Sequence, residues 1–507
     1  MKRALLISLL AVASLTAGGA ELTLTEAVKA ANRDAVQAIL TTPAGRAAVN
    51  TPEPDGTTPL HWAVRADEGM IARDLLAAGA KATAVNRYGV TPLSLAADIA
   101  SADLVDVLLN AGADAKTVIK NGETVLMAAA RTGSPRAVQL LIEHGASVDA
   151  QEERLGETAL MWAVAENHPE AAKLLIEHGA DVNKRTAELK YAKDRFGLEG
   201  VLTILPHGRW TPLMYEARQG SLEAARVLVD AGADKNARDP DLSTPAIIAT
   251  INGHYDVAAM LVERGADPNL ADSSGMAVLY GAVDMNMPAE IYGRPNRKST
   301  STISALDLMK VVLAHGADVN AQLRSATVQR AHTPGDGLLG AGATPVLRAA
   351  RTGDAAAMRI LLDHGADPAL TINHTTALMF AAGSGRNAGV FQKDIGTERD
   401  LFATVKLLVD LGVDVNLAND NGQTAMHFAA QTSDDIVRYL AAHGAVLDTK
   451  DKQGHTPADL ALGIGVRGRL GGAPPVRPQT AALLRELIAK RDGTPPPTLS
   501  PASPAPQ

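Results

Sequence analysis

The sequence predicts an all-α solenoid, in which one helix-turn-helix-hairpin unit is used about eleven or twelve times end to end. Three observations carry this. The phrase Ile176-Glu177-His178-Gly179-Ala180-Asp181-Val182-Asn183 returns in near copies at 142–149, 313–320 and 362–369. Its glycine recurs as Gly79, Gly112, Gly145, Gly179, Gly232, Gly265, Gly316, Gly365, Gly412 and Gly444; the gaps are 32 to 34 residues, except for four that run 14 to 20 residues over a 33-residue period. A Thr-Pro pair keeps the same rhythm at Thr58-Pro59, Thr91-Pro92, Thr211-Pro212, Thr244-Pro245, Thr344-Pro345 and Thr456-Pro457. Aromatic residues make up only 3 % of the 507, which suits small, closely packed helices and suits a sandwich or barrel poorly.

Taken in chain order, residues 1–20 read as a secretory signal. Lys2 and Arg3 precede the apolar run 4–17, and Gly18-Gly19-Ala20 offers small residues for cleavage. The run is short for a membrane span. No cysteine exists to carry a lipid, form a disulfide or act as a thiolate ligand. The expected destination is outside the cytoplasm, most simply a bacterial periplasm. The repeat array then covers 21–491, with a first capping unit at 21–54, repeats over 55–454 and a last unit at 455–491. The Pro/Ser-rich tail 492–507 is expected to be disordered.

Within each unit, Thr caps a helix and Pro takes the first helical position, where its missing N–H costs nothing. An Ala-rich helix follows, then a turn, then a second helix with apolar spacing such as AVQLLIEH. That helix stops at the glycine, which adopts a left-handed cap cheaply. The residues after it, ADVN or ADPN, leave toward a polar turn. Helix, turn, helix and hairpin at this period, with TPLH and GAD-x-N motifs, resemble the ankyrin-repeat family, and in particular exported bacterial members of it. Val125, Ala159, Ala277, Ala377 and Ala425 stand where the usual Pro is expected, so those caps should be weaker by up to about 1 kcal/mol.

The recurrent His-Gly pairs raise the question of chemistry. His144, His178, His315, His364 and His443 fall in the last turn of second helices, where an imidazole suits the exposed carbonyls. Helix spacing sets them about 10 Å apart, whereas zinc ligands lie about 2 Å from one ion. The recurrent Asp114, Asp181, Asp234, Asp267, Asp318, Asp367 and Asp414 read as turn residues that accept backbone N–H bonds. No nucleophile elbow, zincin helix or phosphate loop is present. No catalytic residue, metal site or cofactor is expected. The net charge of −8 argues against nucleic acid.

Function is then expected in the irregular parts. Insertions at 184–209 and 321–343 enlarge hairpin links; others at 286–304, 384–400 and 463–478 separate the two helices of alternate units and should project about 20 Å apart. Arg294, Arg297, Lys298, Arg467, Arg469 and Arg477 make this edge locally basic, a candidate contact for an anionic glycan or lipid. Trp62, Trp162 and Tyr215, with Phe380 and Phe428, hold one equivalent place on first helices. Trp210 with Arg209 lies on a hairpin, and Tyr280 sits at the His position of its unit. Trp62, Trp162, Arg209, Trp210, Tyr215 and Tyr280 are therefore candidate anchors for a partner protein. The family resemblance implies a protein-binding module and no reaction. A non-catalytic envelope scaffold is the leading expectation. The alternatives are an enzyme site assembled from the insertions, and an anion-binding edge.

Overall fold

The computed structural model describes residues 22–189, 207–288, 290–291, 299–327, 339–385, 392–393, 396–466 and 476–493. The expected leader and nearly all of the expected tail lie outside them. The regular secondary structure of the described residues is helical, apart from two-residue strands and isolated bridges. The chain divides into two compact units: residues 1–189 with 208–234, and residues 190–207 with 235–507.

In the first unit, six helix pairs follow one another, from Leu24–Lys29 with Arg33–Thr41 to Pro212–Gln219 with Leu222–Asp230. A short helix Pro43–Ala48, absent from the sequence expectation, follows the first pair. In the second unit six more pairs run from Pro245–Ile251 with Tyr255–Glu263 to Pro457–Ala461 with Pro478–Asp492. Each pair packs on the next within its unit, which is the all-α solenoid that the repeat period implies.

The local causes are those the sequence offered. Thr91, Thr244 and Thr344 accept the N–H three residues on, with Pro next in line. Thr124, Thr158 and Thr376 do the same where Pro is missing. Ala277 is a correction. It is itself the cap residue of Val278–Asn286, so it replaces Thr rather than Pro, and that helix has no side-chain cap. All ten repeat glycines have φ between +83° and +97°. Almost nothing lies near where a Cβ would be, so the dihedral, not crowding, demands glycine.

Two further devices hold neighbours together. Five asparagines of the GAD-x-N hairpin register reach the following unit. Asn50, Asn183, Asn269, Asn320 and Asn416 donate to the carbonyls of Gly79, Gly232, Gly316, Gly365 and Gly444, and each accepts a backbone N–H just beyond. The buried His61 accepts the Thr58 N–H on Nδ1 and donates Nε2–H to the Val90 carbonyl of the next unit at 3.1 Å. His427 repeats this with Thr424 and His455. Burial pushes both imidazoles below the usual histidine range.

The His-Gly histidines sit at the C-terminal caps of second helices. Nδ1 of His315, His364 and His443 donates at 2.8 Å to the carbonyl four residues back. Asp114, Asp181, Asp267, Asp318, Asp367 and Asp414 each accept the N–H two residues on, at 2.8 or 2.9 Å. Among the described residues, no three His, Asp or Glu side chains form a metal-sized group, and no helix is long and apolar enough to cross a membrane.

Candidate functional site: an aromatic face on the first unit

The candidate anchors divide sharply. Trp62, Trp162 and Tyr215 project from first helices at four residues past their Thr caps, and Trp210 precedes such a cap; all four are half-buried and all lie in the first unit. Each polar edge except that of Trp210 is held by a carboxylate from a hairpin. Trp62 Nε1–H donates to Glu53 at 2.7 Å, and Trp162 Nε1–H donates to Glu157 at 3.0 Å. The other Glu157 oxygen accepts the Tyr215 O–H at 2.5 Å. Burial, then this carboxylate, drives the Tyr215 phenol well above its usual range.

Cations lie over the rings. Lys29 Nζ is 4.3 Å from the Trp62 centroid, with the Arg65 guanidinium at 5.6 Å. Arg131 lies 5.7 Å from Trp162, and Arg218 lies 5.9 Å from Trp210. Lys29 also bonds Glu53, and with Trp62 it holds that carboxyl below its usual range. Trp210 meets Tyr215 edge to face at 5.3 Å. The backbone fixes Trp210 in turn, because its N–H donates to the Thr186 hydroxyl and its carbonyl accepts the Thr186 N–H. These bonds close the base of the 184–209 insertion, whose middle lies outside the described residues. Arg209 is exposed and takes a left-handed backbone, φ +53°, which costs a non-glycine residue about 1–2 kcal/mol.

The remaining candidates stand differently. Tyr280 is a correction: it is 2 % exposed, so it is packing rather than an accessible anchor. Its register explains this, because the same place in other helices holds the buried His61, Met127, Met161 and His427. Phe380, in the Trp62 register, is buried as well. Arg294, Arg297, Lys298, Arg467 and Arg469 lie outside the described residues. Arg477 is corrected too, since it faces Glu398 at 3.4 Å and Asp434 at 3.8 Å and is not an unopposed cation.

The inter-helix insertions also differ from expectation. Glu290–Ile291 of the first pairs antiparallel with Gln392–Lys393 of the second, so two segments expected about 20 Å apart are hydrogen-bonded neighbours. Sequence reasoning overlooked Tyr88, the exposed hairpin-tip aromatic beside Arg87, and Glu216, a fully buried acid. Tyr88 was legible as an aromatic in a turn; Glu216 was legible as the one charged residue in a register that otherwise holds alanine, with Val28 in the first pair.

A family model described as ankyrin repeats, three copies, matches residues 24–118, 93–186, 195–272 and 397–465. A curated relative is the transient receptor potential cation channel subfamily A member 1 homolog of Caenorhabditis elegans. It is 33 % identical over 115 residues, which are 22 % of this chain and 8 % of that protein, so the chain spans under a tenth of that relative's length. Among solved structures, the human ASB11 ankyrin repeat domain is 25 % identical and covers 48 % of this chain and 98 % of its own, with a TM-score of 0.39. The ankyrin repeat domain of Bcl-3, described as a unique member of the IkappaB protein family, is 27 % identical over 44 % of this chain and 93 % of its own, with a TM-score of 0.37. Capped helix pairs, left-handed glycines and a family model that matches more than half of the residues lead to one conclusion: the chain belongs to the ankyrin-repeat family.

Proposed function

We propose that this protein is a non-catalytic scaffold that binds a partner protein on the first-helix and hairpin face of its first unit. The observation that carries this is the row of half-buried rings at Trp62, Trp162, Trp210 and Tyr215. Three of the four already have their polar edges paired within the chain. Rings fixed in this way offer ring face and edge to a partner at little ordering cost, which is the economy of rigid interfaces. Family membership supports the reading, because ankyrin repeats mediate protein–protein interaction.

The reading includes export. The basic start, the apolar run and the small residues before Glu21 support removal of residues 1–20 and residence of the remainder in a bacterial envelope.

The test is affinity capture with residues 21–507 from an envelope fraction, followed by mass spectrometry. A partner should be recovered by the native protein and lost with Trp162→Ala/Trp210→Ala, while the circular dichroism stays native. Equal recovery by both proteins would show that the face is not the binding surface. Amino-terminal sequencing of the envelope form should begin near Glu21.

A further inference from the structure

We propose that Arg209 and Leu242 are contact residues for a protein partner, held on hairpin turns for their side chains at the expense of stability. The proposal rests on the reading of this protein as a partner-binding scaffold. It extends the contact surface from the rings to two hairpin turns, one in each unit.

Two residues before the cap of each first helix, the hairpin turns through a left-handed backbone. From the second pair on, glycine holds this place in eight pairs, from Gly56 and Gly89 to Gly422 and Gly454, with φ between +69° and +88°. The exceptions among the described residues are Arg209 at +53°, Leu242 at +63° and His374 at +57°. Glycine enters this region freely, whereas a Cβ there crowds the following carbonyl. Each of the three side chains therefore strains its turn.

His374 has an offsetting contact within the chain, because its Nδ1 bonds Asp420 of the next pair at 2.6 Å. Arg209 and Leu242 differ. Arg209 is exposed, and its guanidinium makes no hydrogen bond or ion pair among the described residues. Its carbonyl accepts from Arg185, a bond that glycine would make equally well. Leu242 is 36 % exposed, and its N–H donates to the Asp239 carbonyl, which again needs no side chain. Strain of this kind points to a function for the residue that carries it. Both side chains suit an intermolecular contact. A guanidinium offers a fork of donors to carbonyl or carboxylate oxygens, and an apolar side chain on a turn can enter a recess of a partner. Arg209 also adjoins Trp210, so it continues the row of rings.

Two substitutions at each place separate strain from contact. Glycine removes both the strain and the side chain; alanine keeps the strain and removes the side chain. Arg209→Gly and Leu242→Gly should shift the urea midpoint upward with unchanged slope, relief of the turn outweighing the looser unfolded chain; Arg209→Ala and Leu242→Ala should not. Tryptophan emission reads this for Arg209, since Trp62, Trp162 and Trp210 all lie in the first unit, and circular dichroism reads it for Leu242. The binding probe is the envelope fraction, added to the full chain without residues 1–20, and the partner recovered by the native protein is quantified from its peptides by mass spectrometry. All four variants should recover about tenfold less of it. Arg209→Lys should fall between, because it keeps the charge and loses the fork.

A glycine variant with a midpoint below the native one would show that the side chain serves the fold, and would overturn the proposal for that residue. Undiminished recovery by the glycine and alanine variants would overturn it as well. If Trp162→Ala/Trp210→Ala loses the partner while these variants keep it, the ring face stands and the two turns lie outside the interface. If the native protein recovers no partner, the scaffold reading falls and this inference falls with it.

Discussion

A single acid in the wrong register shows how strictly the repeat selects residues. Five positions past the cap, first helices carry Ala63, Ala96, Ala129, Ala163, Ala249, Ala282, Ala349, Ala381, Ala429 and Ala461, each at most 1 % exposed. Glu216 stands there instead, fully buried, with one oxygen accepting the Ser221 N–H and the other without a hydrogen bond. Burial raises its carboxyl to about 8 from 4.5, against a smaller lowering by that bond. A carboxyl protonated in the fold and ionised in the unfolded chain favours folding below its unfolded value. That advantage is lost as pH rises through the interval up to the folded value. The slope is about 1.4 kcal/mol per pH unit at most. The first unit should therefore melt progressively lower from pH 5 to pH 8, and Glu216→Gln should remove most of this dependence. Thermal melts of both proteins at pH 5, 6.5 and 8 decide it; parallel curves would mean that Glu216 is ionised in the fold.

The next scale is the helix and its cap. Among the described first helices of the pairs, Val278–Asn286 is the one whose cap position lacks a hydroxyl, because Ala277 stands where Thr58, Thr91 and Thr244 stand elsewhere. Those threonines are as buried as Ala277, so the fold accommodates the larger side chain at this place. Ala277→Thr should stabilise the second unit by about 1 kcal/mol, read as a higher denaturant midpoint with unchanged slope. No change would show that the helix start is set by packing alone. The same comparison shows what could be read in advance. The glycine spacing, the Thr-Pro starts and the aspartate turns were legible because each depends on dihedrals and caps within a few residues. The asparagine bonds to the next glycine carbonyl were not, because they join residues 28 to 49 apart and leave no local mark. Tyr280 was misjudged for a related reason: residue type suggested an anchor, while its register, shared with buried His61, dictated the core.

At the scale of whole repeats, the second unit uses its insertions differently from a set of separate loops. Besides the strand pairing between the first two, Arg477 at the end of the third reaches Glu398 at the end of the second. One helix beneath these insertions carries a cation in the register where the first unit carries Trp62 and Trp162. Arg348 holds the register of Trp62, is 2 % exposed and pairs with Asp284 at 2.6 Å. It also donates to the carbonyl of Met287, where the first insertion begins. Asn286 bonds the buried Asp354. A buried ion pair is strongly destabilising when broken, about 3–5 kcal/mol, because a charge is left behind. The segment that covers these helices is therefore part of their stability. Gly396 tests this without touching a charge. A Cβ there would lie 2.0 Å from the Thr352 carbonyl oxygen, which belongs to the helix Pro345–Thr352 and cannot yield as a side-chain tip would. Gly396→Val should force the segment away from that helix, at about 1–3 kcal/mol. Hydrogen exchange should then quicken in Val278–Asn286 and Pro345–Thr352 while Ala159–Ala165 in the first unit keeps its native rate. Unchanged protection in all three helices would mean that the insertions lie on the second unit without bracing it.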